Sequence, residues 1–156
     1  QAEAGIRDRS PSRGLGDVYK RQGKLVGGNL SLICSTMGSV FEIQTVGSIL
    51  FIEDVGEAPY RIDRYLSELK LAGKLDLVNG IIIGRFSRRE TEAPDRSTDF
   101  KMHQVFQQYF SKMKVPVIFN FPSGHGFKNV SLPLGCIVEI NTVYETFKVL
   151  EPPIKS

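Results

Sequence analysis

Two short, unbroken runs of apolar residues constrain the fold of this chain more than any other feature. Residues 49–52 read Ile-Leu-Phe-Ile, and residues 80–86 read Gly-Ile-Ile-Ile-Gly-Arg-Phe. Runs of this length and composition are typical of strands that are buried on both faces. Between them, residues 59–72 begin with proline and carry apolar side chains at helical spacing, which predicts an amphipathic helix. Buried strands that alternate with a helix predict an α/β domain.

The rest of the pattern indicates a mixed sheet. Strands and helices alternate through the middle of the chain, whereas two strands follow one another at the end. Residues 27–29, Gly-Gly-Asn, are predicted to form a turn in which the backbone can approach a ligand closely. The further predicted helices cover residues 30–37 and 99–113, the further predicted strands cover residues 115–119, 136–141 and 146–150, and residues 87–97 form a polar loop.

The first 22 residues do not resemble the rest of the chain. They lack apolar periodicity, and residues 17–22, Asp-Val-Tyr-Lys-Arg-Gln, look like a translated transposon end used in preparing DNA sequencing libraries. We therefore expect residues 1–22 to be a disordered tail that arose as a sequencing or cloning artefact, with a natural basic arm as the alternative. The domain is then expected to span residues 23–150, followed by a short tail at 151–156.

Charge and composition argue against several classes of function. Residues 1–22 hold five of the 20 basic and three of the 17 acidic residues, so the remainder carries a net charge of only about +1 and gives no case for nucleic acid. No apolar run approaches the ~20 residues of a membrane span, and the start lacks a signal-peptide pattern. The two cysteines and two histidines form no metal-binding pattern, so no metal or other cofactor is predicted. Reduced thiols fit a cytoplasmic location.

Glu53 is the first candidate for chemistry. It directly follows the apolar run at 49–52, within Glu-Asp-Val-Gly-Glu. A carboxylate at the end of a buried strand is costly to desolvate, so it normally has a partner or a catalytic task. An ordinary strand end with solvated acids remains the alternative. Asp54 and Glu57 are interpreted as structural or rim acids.

His125 is the second candidate, because it lies between two glycines on a loop that follows a predicted strand. Imidazole exchanges protons near neutral pH, so a loop histidine here could act as a general base. If both strands share a sheet and a direction, Glu53 and His125 can meet at one edge of it. A nucleophile is missing, since no Gly-x-Ser-x-Gly motif is present and Ser123 is too close to His125 in a tight loop. A solvated loop histidine is the alternative.

Several short motifs in a fixed order resemble one known family. Over residues 23–141 the chain is similar to the C-terminal domain of LD-carboxypeptidases, serine peptidases of bacterial cell-wall recycling, and of the related microcin-C immunity peptidases. The matching pieces are Gly-Gly-Asn-Leu at 27–30, ILFIEDVGE at 49–57 with YRIDR after it, AGKL at 72–75, Gly-His-Gly at 124–126 with Asn129, and LPLG at 132–135.

The resemblance implies a swivelling β/β/α-type domain and a Ser-His-Glu triad without a metal. Glu53 and His125 match the glutamate and the histidine, while the serine would belong to an N-terminal domain outside this chain. Gly28 and Asn29 are then expected to bind substrate. The implied reaction releases terminal D-alanine from cytoplasmic murein tetrapeptides, and a homodimer is possible. The loop at 87–97 is more charged than the family leads us to expect, which could alter substrate choice.

Two alternatives to this reaction remain open. One is a microcin-immunity-type peptidase that acts on acylated aspartyl nucleotides. The other is a non-enzymatic α/β binding domain in which Glu53 and His125 are ordinary surface groups. A separation of their side chains beyond about 8 Å, far from hydrogen-bonding distance, would favour the binding domain.

Overall fold

Six strands form a single mixed sheet in the structure, a computed structural model that describes residues 20–87, 96–125 and 129–150. In chain order the elements are β1 (Lys20–Asn29), α1 (Leu30–Ser35), β2 (Ile49–Val55), α2 (Pro59–Leu71), β3 (Gly80–Ser87), α3 (Arg96–Phe110), β4 (Val117–Ile118), β5 (Ile137–Asn141) and β6 (Thr146–Val149). The strand order across the sheet is β4-β3-β2-β1-β5-β6. β1 to β4 run parallel, whereas β5 and β6 pair antiparallel. The predicted α/β domain with a mixed sheet is confirmed.

The elements predicted from residue 49 onward are all present, with bounds that differ from the prediction by at most three residues. The predicted tails at 1–19 and 151–156 lie outside the described residues, as do residues 88–95 of the polar loop. Within the described residues, no helix is both long and apolar enough to cross a membrane.

The start of the chain requires two corrections. Residues 20–22 belong to β1 rather than to the tail, because their backbone pairs with β5, with Gln22 opposite Glu139. The predicted Gly-Gly-Asn turn is instead the end of β1, in parallel register with β2. Glycine is needed there because Gly27 has φ +129° and a Cβ would lie 1.9 Å from the carbonyl oxygen of Phe51. This end of β1 packs through glycine backbone and not through apolar side chains. It therefore lacks the apolar periodicity by which a strand is recognised in a sequence.

One side of the sheet, here called the helix face, carries the three helices and the larger core. Alternate strand residues point to it, including Leu50 and Ile52 of β2. Leu66 and Leu69 of α2 are fully buried against this face. The other buried apolar residues of this core are Leu30, Ile33, Cys34, Ile62, Leu75, Val78, Ile81, Ile83, Phe106 and Phe110.

The opposite side, here called the inner face, is covered because the sheet curls on itself. Phe121 comes directly after the β4 edge and Phe147 lies in the β6 edge, yet their ring centroids are 5.3 Å apart. In a flat sheet of six strands those edges would be separated by roughly 24 Å. The curl encloses a second core of Leu25, Ile49, Phe51, Ile82, Ile118, Phe121, Val138 and Ile140.

Candidate active site

Glu53 lies at the carboxyl end of β2 and faces the interior of the curl. Phe51, two residues earlier, packs in the inner-face core, and side chains two apart on a strand share a face. Glu53 is only 6% exposed, so its carboxylate requires a polar partner.

The partner is delivered by the loop that follows β4. This loop runs along the outer edge of β3, where the Phe121 N–H donates to the Ile83 carbonyl at 3.0 Å and the Arg85 N–H donates to the Ser123 carbonyl at 3.0 Å. Because β3 also pairs with β2, the loop reaches the end of the sheet where Glu53 projects. His125 therefore arrives beside Glu53 at the carboxyl ends of parallel strands.

Nδ1 of His125 lies 2.8 Å from Oε2 of Glu53. The glutamate side chain is 7% exposed and the histidine side chain is 58% exposed, so the pair joins a buried carboxylate to an accessible ring. A carboxylate at Nδ1 favours the tautomer with the proton on that nitrogen, which leaves the Nε2 lone pair as an acceptor. Within the described residues no hydrogen bond occupies Nε2. The arrangement can take a proton from a group placed outside the ring.

Gly124 controls how closely the loop approaches Glu53. It has φ +112°, and a Cβ there would lie 2.9 Å from Oε2 of Glu53. Its N–H donates to Oδ1 of Asn129 at 3.2 Å. The Val130 N–H also donates to the Pro122 carbonyl at 2.7 Å, so contacts from both sides fix the base of the loop. The sequence indicated Gly124 and Asn129 as motif positions without suggesting this function.

A β-bulge lies opposite Glu53. The register between β2 and β3 shifts between the pairs Ile52–Ile83 and Asp54–Phe86, so Gly84 and Arg85 together face Glu53. A Cβ at Gly84 would lie 2.6 Å from the Ser123 carbonyl oxygen. The bulge therefore makes room beside the end of β2 for the loop that carries His125. Bulges next to active sites often redirect side chains.

The histidine–glutamate pair forms one wall of a cavity of about 560 Å³. Its other lining residues are Phe51, Ser123, Gly124, Asn129, Val130, Ser131, Leu132 and Leu134. These residues are aliphatic, aromatic or neutral and polar, so Glu53 and His125 are the only ionisable groups among the lining residues that the structure describes. Leu134 is 53% exposed at the rim. Among the described residues, the cavity therefore combines one histidine–glutamate pair with an uncharged wall.

A wider depression of about 970 Å³ lies on the other side of the molecule, between the loop after α1 and helix α2. Its lining includes Glu42, Asp63, Arg64 and Glu68 but no histidine. Glu42 is paired with Lys74, whose hydrogen bond lowers the pKa of this carboxyl. The depression holds no group that resembles a proton-transfer pair, so the smaller cavity is the candidate active site.

No nucleophile is paired with His125 in the described residues. Ser123 and Ser131 line the cavity, but neither hydroxyl is hydrogen-bonded to the imidazole. Cys34 lies in the helix-face core, where burial, with Glu68 and Asp54 nearby, raises the pKa of its thiol to about 12. Such a thiol is a poor nucleophile at neutral pH. Among the described residues there is also no cluster of three or more side chains that could hold a metal.

Gly28 and Asn29 lie beside the site, but Asn29 already has structural contacts. Its Oδ1 accepts from the Leu32 N–H at 3.1 Å and its Nδ2 donates to Asp54 at 2.9 Å, so it is the N-cap of α1. An asparagine before a helix is a known capping signal, which the sequence carried. Beside Gly28 there is open space where a Cβ would lie. Substrate binding by these two residues stays a prediction.

The other two acids of the motif have separate surroundings. Asp54 is buried on the helix face and accepts hydrogen bonds there, and Glu57 pairs with Arg61 of α2 at 3.3 Å. Both arrangements agree with the structural or rim positions expected for them.

Comparison with protein families gives a match that covers most of the chain. Residues 22–140 match the model of the LD-carboxypeptidase C-terminal domain. The probable murein peptide carboxypeptidase of Bacillus subtilis is 40% identical over 127 residues, which make up 81% of this chain and 39% of that protein. The microcin C7 self-immunity protein MccF of Escherichia coli is 29% identical over 133 residues, 85% of this chain and 38% of that protein. The chain therefore spans about two fifths of the length of these relatives.

A solved structure shares the fold. The muramoyltetrapeptide carboxypeptidase from Oxalobacter formigenes superposes with a TM-score of 0.70 at 29% sequence identity, and the match covers 82% of this chain and 44% of that one.

Proposed function

The chain belongs to the LD-carboxypeptidase family, and on that premise we propose that it supplies the general base and its orienting carboxylate to a serine carboxypeptidase. The observation that carries this proposal is the 2.8 Å contact between His125 Nδ1 and Glu53 Oε2. A buried carboxylate that holds one ring nitrogen, with the other nitrogen open, is the arrangement of base and orienting group in hydrolytic triads.

In the proposed mechanism, a serine from outside the described residues attacks the carbonyl carbon of the scissile amide. Nε2 of His125 takes the proton from the serine hydroxyl and later gives it to the departing amine. Glu53 keeps the proton on Nδ1 and stabilises the imidazolium that forms. Water then releases the acyl group by the same proton transfers in reverse, and no metal takes part.

The proposed substrate is a murein tetrapeptide, from which terminal D-alanine is released in the cytoplasm during peptidoglycan recycling. Relatives described as murein peptide and muramoyltetrapeptide carboxypeptidases support this choice. The aliphatic wall formed by Val130, Leu132 and Leu134 suits a small, uncharged side chain next to the scissile bond. The murein peptide and the serine-bearing N-terminal domain are thus the proposed partners.

A second candidate is hydrolysis of acylated aspartyl nucleotides, favoured by the similarity to the self-immunity protein MccF. The same base and carboxylate would serve that reaction, so the two candidates differ in the substrate and not in the catalytic pair. The short distance between Glu53 and His125 argues against the third possibility, a binding domain without catalysis.

The test uses the full-length protein recovered from its gene, the chain of 156 residues alone, and the full-length Glu53→Gln variant. Each is incubated with a murein tetrapeptide and with an acylated aspartyl adenylate, and free D-alanine or released nucleotide is measured. We expect the full-length protein to release D-alanine and the other two proteins to be inactive. Asp63→Asn is a matched control, since Asp63 accepts from Tyr109 on the helix face.

Each alternative outcome has a distinct meaning. Release of nucleotide without release of D-alanine would favour the second candidate. Cleavage of the tetrapeptide by the chain alone would show that the nucleophile lies within it. Full activity of Glu53→Gln would overturn the role given to the histidine–glutamate pair.

A further inference from the structure

Asp54 is a buried carboxylate for which the proposed chemistry has no use. It follows Glu53 directly, is 3% exposed, and points to the helix face, whereas Glu53 points into the curl. Burial of a carboxylate is costly unless hydrogen bonds satisfy it, so its contacts indicate what it contributes.

Three N–H groups from separate segments donate to Asp54. The Val55 N–H lies 2.8 Å from Oδ1, Nδ2 of Asn29 lies 2.9 Å from Oδ1, and the Ser31 N–H lies 2.9 Å from Oδ2. These donors belong to the end of β2, the end of β1 and the first turn of α1. One carboxylate therefore ties together the three segments behind the active site.

This link acts on the backbone that carries the catalytic carboxylate. Asn29 is the register partner of Glu53 in the pairing of β1 with β2, and its side chain donates to Asp54, the residue that follows Glu53. On its other side, Glu53 lies opposite the bulge in β3, where the ladder is irregular. The anchor at Asp54 compensates for this irregular pairing.

We propose that Asp54 is a positioning residue that holds the end of β2 so that Glu53 stays within bonding distance of His125. The expected effect of Asp54 on turnover rests on the function proposed above. Its expected effect on the distance between Glu53 and His125 does not. The contacts require a carboxylate at this position. Both oxygens accept from N–H donors, so an NH₂ group in place of either oxygen would face another donor.

The donor and acceptor pattern suggests three substitutions. Asp54→Asn places its amide against an N–H donor, and Asn29→Asp places a carboxylate 2.9 Å from Asp54. In the double variant Asn29→Asp with Asp54→Asn, the new amide donates to the new carboxylate, which still caps α1 through the Leu32 N–H. The exchange therefore restores the bond between the two side chains and moves the negative charge, although the new amide still faces the Val55 N–H.

The first experiment follows the imidazole of His125 by NMR in the 156-residue chain. A proton on Nδ1 that is hydrogen-bonded to a carboxylate at 2.8 Å is expected to resonate far downfield. We expect Asp54→Asn and Asn29→Asp to weaken or shift this signal and the double variant to recover it in part, because the Val55 N–H still faces the new amide. Leu69→Ala, which opens a cavity on the helix face but removes none of the donors to Asp54, should retain the signal and serves as the control for lost stability.

A milder variant keeps the proposal testable if Asp54→Asn does not fold. Asn29→Ser retains an oxygen for the helix cap but removes the amide that donates to Asp54. A shifted Nδ1 proton in this variant supports the positioning role. A wild-type signal in every folded variant of Asn29 and Asp54 overturns it.

The second experiment measures kcat and KM in the full-length protein. Misplacement of a catalytic group by about 1 Å can lower turnover as much as about 100-fold, so Asp54→Asn should lower kcat by about 10- to 100-fold and leave KM nearly unchanged. A kcat no lower than that of Leu69→Ala overturns the positioning role. If the wild-type protein cleaves no carboxypeptidase substrate, the proposed function fails, and the NMR result alone decides on Asp54.

Discussion

The two faces of the sheet differ in how they are covered and in what they carry. The helix face is packed by α1, α2 and α3, and its core includes fully buried residues from both strands and helices. In the part of the chain that the structure describes, the inner face is covered by the curl of the sheet and by the loop after β4, and it opens at the end where Glu53 meets His125. The ring of His125 is accessible to solvent, whereas the core residues of the helix face are buried.

This difference suggests a division of labour between stability and chemistry. Closely packed apolar surface supplies most of the free energy of folding, whereas a catalytic pair needs access to substrate and a polar environment. Because successive residues of a strand point to opposite faces, β2 serves both purposes: Leu50 and Ile52 stabilise one side, and Glu53 projects from the other. Substitutions on the two faces should therefore have separable effects.

The largest effect is expected from His125→Ala in the full-length protein. Removal of a general base lowers turnover by about 10²- to 10⁴-fold, so kcat should fall within that range. The ring itself is 58% exposed, but its loss leaves the buried Glu53 carboxylate without this partner, so the midpoint of thermal unfolding should fall modestly. Turnover and thermal unfolding are measured on the same preparation. Wild-type turnover would remove His125 from the mechanism, and a large loss of stability would contradict the proposed division.

The opposite effect is expected from Leu66→Ala on the helix face. Leu66 is fully buried, so the cavity should lower the free energy of unfolding by about 2–5 kcal/mol. Turnover per folded molecule should stay at the wild-type level, because the side chain has no contact with the inner face. Urea denaturation measures the free energy of unfolding, and activity corrected for the folded fraction measures turnover. A clear loss of kcat in the folded protein would show that the two faces are coupled.

Gly124→Ala is expected to lower both turnover and the free energy of unfolding. Gly38→Ala provides a matched control. Both glycines have positive φ, +112° and +77°, so either alanine should cost about 1–3 kcal/mol in backbone strain. Only at Gly124 would the new Cβ meet Glu53, while nothing lies within 4 Å at Gly38. Activity should therefore fall in Gly124→Ala alone. Equal activity in the two variants would show that the close approach to Glu53 is unimportant.

The smallest effect is expected from Glu139→Gln, on the outer side of β5. Hydrogen bonds from Gln22 and Lys20 hold the pKa of Glu139 below its ordinary value. A carboxyl with a lowered pKa in the folded state adds stability at pH values above the ordinary glutamate pKa, about 4.3, and loses it as the pH falls through the lowered value. The stability difference between wild type and variant should thus be constant above about pH 5 and shrink at lower pH. A difference that does not change between pH 6 and pH 3, measured by urea denaturation, would contradict this.

Local patterns in the sequence predicted the parts of the fold that depend on side-chain burial. The apolar run of β3 and the helical spacing of α2 follow from which residues are buried, and the structure agrees with both. The meeting of Glu53 and His125 was predictable because parallel strands end at the same edge of a sheet. That inference also required that both strands share one sheet and one direction, and the structure shows that they do.

Features that depend on distant backbone contacts were not predictable in the same way. β1 is rich in glycine and pairs through its backbone, so residues 20–22 and 27–29 gave no periodic signal. The curl depends on Phe121 meeting Phe147, two residues from opposite edges of the sheet. The contacts of Asp54 were hidden for a different reason: the capping signal at Asn29 was present in the sequence but does not specify which carboxylate lies behind it.

The central position of β1 affects the order in which the protein can fold during synthesis. Its parallel neighbour β2 begins at Ile49, whereas its antiparallel neighbour β5 begins at Ile137, so one side of β1 can pair long before the other. The contact that closes the curl requires Phe147, near the end of the described chain. Contacts this distant along the chain slow folding because a long loop must close before they form. We therefore expect the helix face to assemble on the ribosome first, and the inner core to form only after Phe147 has been synthesised.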